Sequence, residues 1–114
     1  MATIKTLIGN LKNPEVYSTT ETIVGTWIDG KPIYRKTIQL SSFKNGTVFL
    51  TNVDTLINVF GMCKFDQTRC RFPINNQDIF AEVLFEGNNL ISNSNYEGYF
   101  KNLNATFEYT KTTS

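Results

Sequence analysis

Glu21-Thr22-Ile23-Val24-Gly25-Thr26-Trp27-Ile28-Asp29-Gly30-Lys31-Pro32-Ile33-Tyr34-Arg35-Lys36-Thr37-Ile38-Gln39-Leu40 reads as two β-rich runs around an Asp-Gly pair. Residues 21–28 and 31–40 are built from Thr, Ile, Val and aromatic side chains, which suit a pleated, half-buried surface. Asp29-Gly30 between them predicts a two-residue type I′ turn, whose central positions both need positive φ. That loop sets a register with Ile28 opposite Lys31, Trp27 opposite Pro32, Gly25 opposite Tyr34 and Ile23 opposite Lys36. One face then gathers Ile23, Trp27, Pro32, Tyr34 and Ile38 and is expected to meet the core. The Tyr34 ring is expected to cover bare Gly25 across the ladder. Thr22, Val24, Thr26, Arg35 and Thr37 form the wetter face.

The same pattern continues outward. Strands are expected at 47–52, 55–65, 68–73, 78–86, 89–92 and 103–111. Turn signals separate them at Lys44-Asn45-Gly46, Asp66-Gln67, Asn75-Asn76 and Gly87-Asn88-Asn89. About eight short strands at this spacing predict an all-β, antiparallel two-sheet β-sandwich, jelly-roll-like or immunoglobulin-like. Leu103, Ala105, Phe107 and Tyr109 alternate with Asn104, Thr106, Glu108 and Thr110, the mark of a half-buried strand, with an edge position open to it. Residues 1–15 are expected to be an N-terminal arm or linker. Their Ile4, Leu7, Ile8 and Leu11 fit either a short amphipathic helix, which Gly9-Asn10 weakens, or an extended arm packed on a neighbouring chain. Residues 16–114 are expected to form the single β-sandwich domain, since 114 residues suffice for one domain and not for two.

Composition narrows the function classes. Eleven basic side chains against ten acidic ones give no electrostatic reason to bind nucleic acid or an anionic membrane. No apolar run approaches the ~20 residues that span a bilayer, so no membrane insertion is expected, and the first residues lack a signal-peptide core. Histidine is absent, which removes Ser-His-Asp and Cys-His catalysis within the chain. Two cysteines without CxxC spacing do not make a zinc site, and the seven glycines are scattered rather than gathered in a phosphate loop. No cofactor, metal or catalytic residue is expected, and the chain reads as a non-enzyme.

Three stretches are distinctive together: Tyr17 to Trp27, Ile28 to Thr37, and the terminal Tyr109-Thr110-Lys111-Thr112-Thr113. They resemble a domain at the C-termini of tail-fibre and other minor structural proteins of phages and prophages of Gram-positive and gut bacteria. The matching pattern is Y-S-T-x-E-x-x-V-G-x-W-I-D-G-K-P-x-Y-x-K-T, closing on Y-T-K-T-T. Between them only the layout agrees: Thr55 to Gly61 as an apolar strand ending in Gly, Phe72-Pro73 as a Pro-containing strand end, and Tyr96 to Tyr99 as a Tyr-containing turn. The resemblance implies a β-sandwich displayed on a virion after synthesis in the bacterial cytoplasm, a homotrimer tethered to a longer fibre, with host-surface recognition or trimerisation of the fibre as its expected task. Trp27, Asp29, Gly30, Lys31, Pro32 and Tyr34 read in that motif as hairpin chemistry.

Tyr96, Tyr99 and Phe100, with Asn93 and Asn95, form the candidate ligand loop for a host cell-surface glycan. Turn-forming polar residues there present aromatics at one end of the sandwich, as sugar-binding loops do. The competing reading is that these rings plug the sandwich end. Trp27 and Tyr34 could stack on a sugar, but a core placement is favoured. Cys63 and Cys70 face each other across Asp66-Gln67 in a hydrogen-bonded register whose side chains splay, so free thiols are expected. Lys64, Arg69 and Arg71 read as a solvated strand face, or as a grip on an anionic wall polymer. Asp78, Glu82 and Glu86 read as a polar face rather than a glycosidase pair or a Ca²⁺ site. Asn45-Gly46-Thr47 and Asn104-Ala105-Thr106 match the glycosylation sequon, a cheap match in a chain about one quarter Thr and Asn.

Overall fold

A computed structural model describes residues 17–112; the expected N-terminal arm at 1–15 lies outside the described residues. The strands are β1 (Thr22–Thr26), β2 (Pro32–Ser42), β3 (Val48–Leu50), β4 (Val53–Phe65), β5 (Thr68–Phe72), β6 (Ile74–Asn75), β7 (Phe80–Glu86), β8 (Asn89–Ser94) and β9 (Phe100–Lys111). They form two antiparallel sheets, ordered β1-β2-β9-β4-β5 and β3-β8-β7-β6. This is an all-β sandwich. The eight expected strands are present, and the two-residue β6 adds a ninth.

The long-range antiparallel pairs are β2 with β9, β4 with β9 and β3 with β8, while β4–β5 and β7–β8 close as hairpins. The centre of the five-stranded sheet is β9, flanked on both sides, so the edge position left open for it is not taken. Its alternation does what the pattern requires: Leu103, Ala105, Phe107 and Tyr109 are buried. Thr106 and Thr110 are buried as well, on the opposite face. There Thr37 and Thr106 hydroxyls pair at 2.8 Å, and Arg35 and Glu108 form an ion pair at 2.6 Å.

Phenylalanine fills the space between the sheets. Phe43 stacks on Phe100 at 5.4 Å, Phe49 meets Phe107 at 5.5 Å, and Phe72 stands edge-on to both Phe43 and Phe49 at 5.8 Å. Such offset and edge-on pairs are the geometries that ring quadrupoles favour. Leu90 of β8 and Ala81 of β7 close the layer from the other sheet. Close approach also dictates one small residue. A Cβ on Gly61 would lie 2.0 Å from the Asn104 carbonyl oxygen and 2.5 Å from the Ala105 Cα.

The hairpin at Asp29-Gly30 forms, with a different loop. Gly30 N–H donates to the Trp27 carbonyl at 2.9 Å and Trp27 N–H to the Lys31 carbonyl at 2.8 Å. The loop is therefore three residues long, Ile28-Asp29-Gly30, and Gly30 alone of these takes positive φ, 92°. A turn followed by a left-handed glycine is the three-residue solution, and it moves the register by one. Thr26 faces Pro32 and Gly25 faces Ile33, and a bulge between Ile23 and Gly25 adds a further step, so that Ile23 faces Tyr34. Ile33 Cδ1, not the Tyr34 ring, lies beside Gly25, 3.6 Å from the place of a Cβ. The expected core face is corrected accordingly: Ile23 on the edge strand is 63% exposed and Trp27 is half-buried outside the core. Tyr34 and Ile38 do pack against it.

Candidate functional site

The turn between β8 and β9 carries the aromatic pair. Tyr99 N–H donates to the Tyr96 carbonyl at 3.2 Å, and Tyr96 and Gly98 take positive φ of 52° and 91°. This tight turn sets the two phenol rings side by side, centroids 6.1 Å apart and 22° from parallel. Both rest on Phe65, at 5.7 and 5.4 Å. Phe65 in turn packs on Phe100 at 5.2 Å, and so on the core. Asp66 N–H, at the tip of the β4–β5 hairpin, donates to the Tyr99 carbonyl at 2.8 Å and ties the two loops together. The result is a supported platform with Tyr96 and Tyr99 each about half exposed, at 52% and 51%. Exposed aromatic faces on a rigid base suit the C–H faces of a pyranose.

The other members of the expected loop serve elsewhere. Phe100 is fully buried and belongs to the core. Asn95 is occupied within the fold: its side-chain oxygen accepts from Phe80 N–H at 3.1 Å and its amide donates to the Asp78 carbonyl at 2.9 Å. Asn93 alternates with buried Ser92 and Ser94 and stands on the outer side of β8, opposite Glu82. On the other flank of the turn, Ser42, Lys44, Thr47, Glu97 and Gly98 line a shallow hollow. Its hydroxyl, ammonium and carboxylate groups are the donors and acceptors that a polyhydroxylated ligand uses.

The hairpin motif is structural in its geometry. The Asp29 carboxylate accepts from Lys31 N–H at 2.9 Å, closing an Asx turn. Lys31 Nζ donates to the Lys111 carbonyl at 3.0 Å and to Asp54 at 3.1 Å. Tyr34 stacks with Tyr109 at 6.1 Å, and Lys111 Nζ sits 4.3 Å over the Tyr34 ring. The Glu21 carboxylate accepts from Lys111 Nζ at 2.6 Å and from the Tyr109 hydroxyl. Burial raises the Glu21 carboxyl, but the hydrogen bonds from Lys111 and Tyr109 and the Lys111 charge outweigh it, so the net shift is downward. Burial, followed by the hydrogen bond and charge of Glu21, pushes the Tyr109 phenol above its ordinary value.

Lys64 and Arg69 stand opposite each other near the β5 edge of the five-stranded sheet, and Arg71 stands opposite Met62. Of the three acids, Glu82 accepts from Asn75 at 2.7 Å, Asp78 lies in the loop before β7, and Glu86 faces Asn89. Among the described residues no three His, Cys, Asp or Glu side chains gather as a metal site. Cys63 and Cys70 are free, as expected, but their sulfurs meet rather than splay, 3.5 Å apart. Phe65 and Glu21 are the residues that sequence reasoning missed. The only local signal for Phe65 was its place just before the Asp66-Gln67 turn. Comparison with family models, curated proteins and solved structures gave no match.

Proposed function

We propose that this chain is a non-enzymatic structural domain of a phage virion, at the tip of a tail fibre or similar appendage, engaged in host-surface recognition or in trimerising the fibre. One observation carries this reading. The described parts of the two stretches that resemble the tail-fibre domain, 17–37 and 109–112, come from opposite ends of the described chain and meet through Glu21, Tyr34, Tyr109 and Lys111. The resemblance therefore falls on one contiguous structural unit rather than on scattered positions. On this reading the Tyr96–Tyr99 platform is the host-glycan contact, and three weak platforms on one fibre gain strongly by avidity.

A second reading is favoured by the platform taken alone: a carbohydrate-binding module of a bacterial surface or secreted protein, acting as a monomer. Solution mass by size-exclusion chromatography with light scattering separates the two. The fibre reading expects three chain masses. A monomer that still binds glycan overturns trimerisation through this chain and favours the module.

A further inference from the structure

The strongest unassigned chemistry lies at the two thiols. β4 and β5 close on Asp66-Gln67, and the pairing runs Phe65–Thr68, Lys64–Arg69, Cys63–Cys70. Directly opposite residues of a hydrogen-bonded pair have Cα atoms about 5.5 Å apart, within the span that a disulfide bridges. The usual obstacle at such a pair is splayed side chains. Here both sulfurs turn toward each other, to 3.5 Å, and the Cys70 thiol donates to the Cys63 carbonyl at 3.6 Å. Cys63 is buried and Cys70 half-buried. Burial first, then the hydrogen bond and charge of Cys70, push the Cys63 thiol up to about 12. Cys70 is therefore the sulfur that meets a reagent from solvent.

We propose that Cys63 and Cys70 are a reversible oxidation site that closes an intramolecular disulfide across β4 and β5 when the protein meets a low-molecular-weight disulfide. The Cys70 thiolate attacks one sulfur of the reagent, whose S–S bond breaks and releases one thiol. The Cys63 sulfur then gives up its proton and attacks the Cys70 sulfur of the mixed disulfide, releasing the second thiol. The cysteine pair loses two electrons and the reagent gains them. The bridge lies two residues from Phe65, so it staples the hairpin that supports Tyr96 and Tyr99. The inference rests on the thiol geometry and stands whether or not the platform binds glycan.

The test is to incubate the full chain with excess oxidised glutathione at about pH 8, where thiols partly ionise. The sample is then quenched in acid, denatured, alkylated with a maleimide and weighed intact. The expected product carries no maleimide, is lighter than the reduced chain by two hydrogens, and regains both thiols with dithiothreitol. Cys63→Ser should stop at a glutathione adduct on Cys70. A wild-type chain that keeps two alkylatable thiols, stops at a stable glutathione adduct, or forms cross-linked dimers overturns the proposal, and none of these readings depends on the variant folding.

Discussion

Gly61 stands where the backbone of β9 leaves no room for a side chain. Gly61→Ala must push the Asn104–Ala105 segment away from the central sheet, and a loss of about 1–3 kcal/mol is expected by chemical denaturation, the range of an overpacked site. Glu21 makes a second prediction. Its folded-state value lies below the ordinary carboxyl value of 4.5, so its contribution is present above that pH and is lost as pH falls through the lower folded value. Urea midpoints should therefore drop less between pH 7 and acid for Glu21→Gln than for the wild type. An equal drop would mean that the Glu21 contacts with Tyr109 and Lys111 add nothing to stability. At this scale the sequence was legible where a residue's role is local. Tyr96 and Tyr99 were readable from their polar, turn-rich surroundings. Phe100 was not, because Asn102 at positive φ resets the alternation, so that Phe100 and Leu103, three apart, both face the core. Nor could local pattern find Glu21 and Lys111, partners separated by 90 residues.

The β1–β2 and β4–β5 hairpins show what turn chemistry does and does not settle. Asp-Gly supports a two-residue loop and also a three-residue loop with glycine left-handed, and the two differ by one residue in register. Asp29, accepting from Lys31 N–H, and Gly30, at a φ of 92°, stabilise the second. Gly30→Ala should therefore cost roughly 1–2 kcal/mol, the penalty of a left-handed conformation for an ordinary residue, measured by thermal unfolding. In the β4–β5 hairpin the expected opposition of Cys63 and Cys70 is present, because that two-residue loop left no second register. Phe65, at its tip, holds up both tyrosines. Phe65→Ala should destabilise by about 2 kcal/mol, less than the ~3–5 of a fully buried ring. It should also weaken the proposed glycan binding without touching the ligand, which a titration beside the wild type would read.

The two-sheet architecture as a whole was legible because strand composition, turn spacing and the alternation in β9 all agree. Strand order was not, since the β2–β9 and β3–β8 pairings are set by packing across the molecule rather than by neighbouring residues. The β2–β9 pairing, with Tyr34 opposite Tyr109, also explains why the two ends of the described chain meet around Glu21 and Lys111, so losing that contact should loosen β1, β2 and β9 together. The molecule offers a sandwich with the Tyr96–Tyr99 pair supported on Phe65, and the proposed host-surface recognition rests on that pair. The most direct measurement is binding of the purified chain to a panel of bacterial cell-surface glycans, wild type beside the Tyr96→Ala/Tyr99→Ala double variant. Binding of at least one glycan by the wild type, reduced at least about tenfold (~1.4 kcal/mol) in a double variant that stays folded, is the predicted result. Equal binding by both proteins, or no glycan bound by the wild type, would contradict the account.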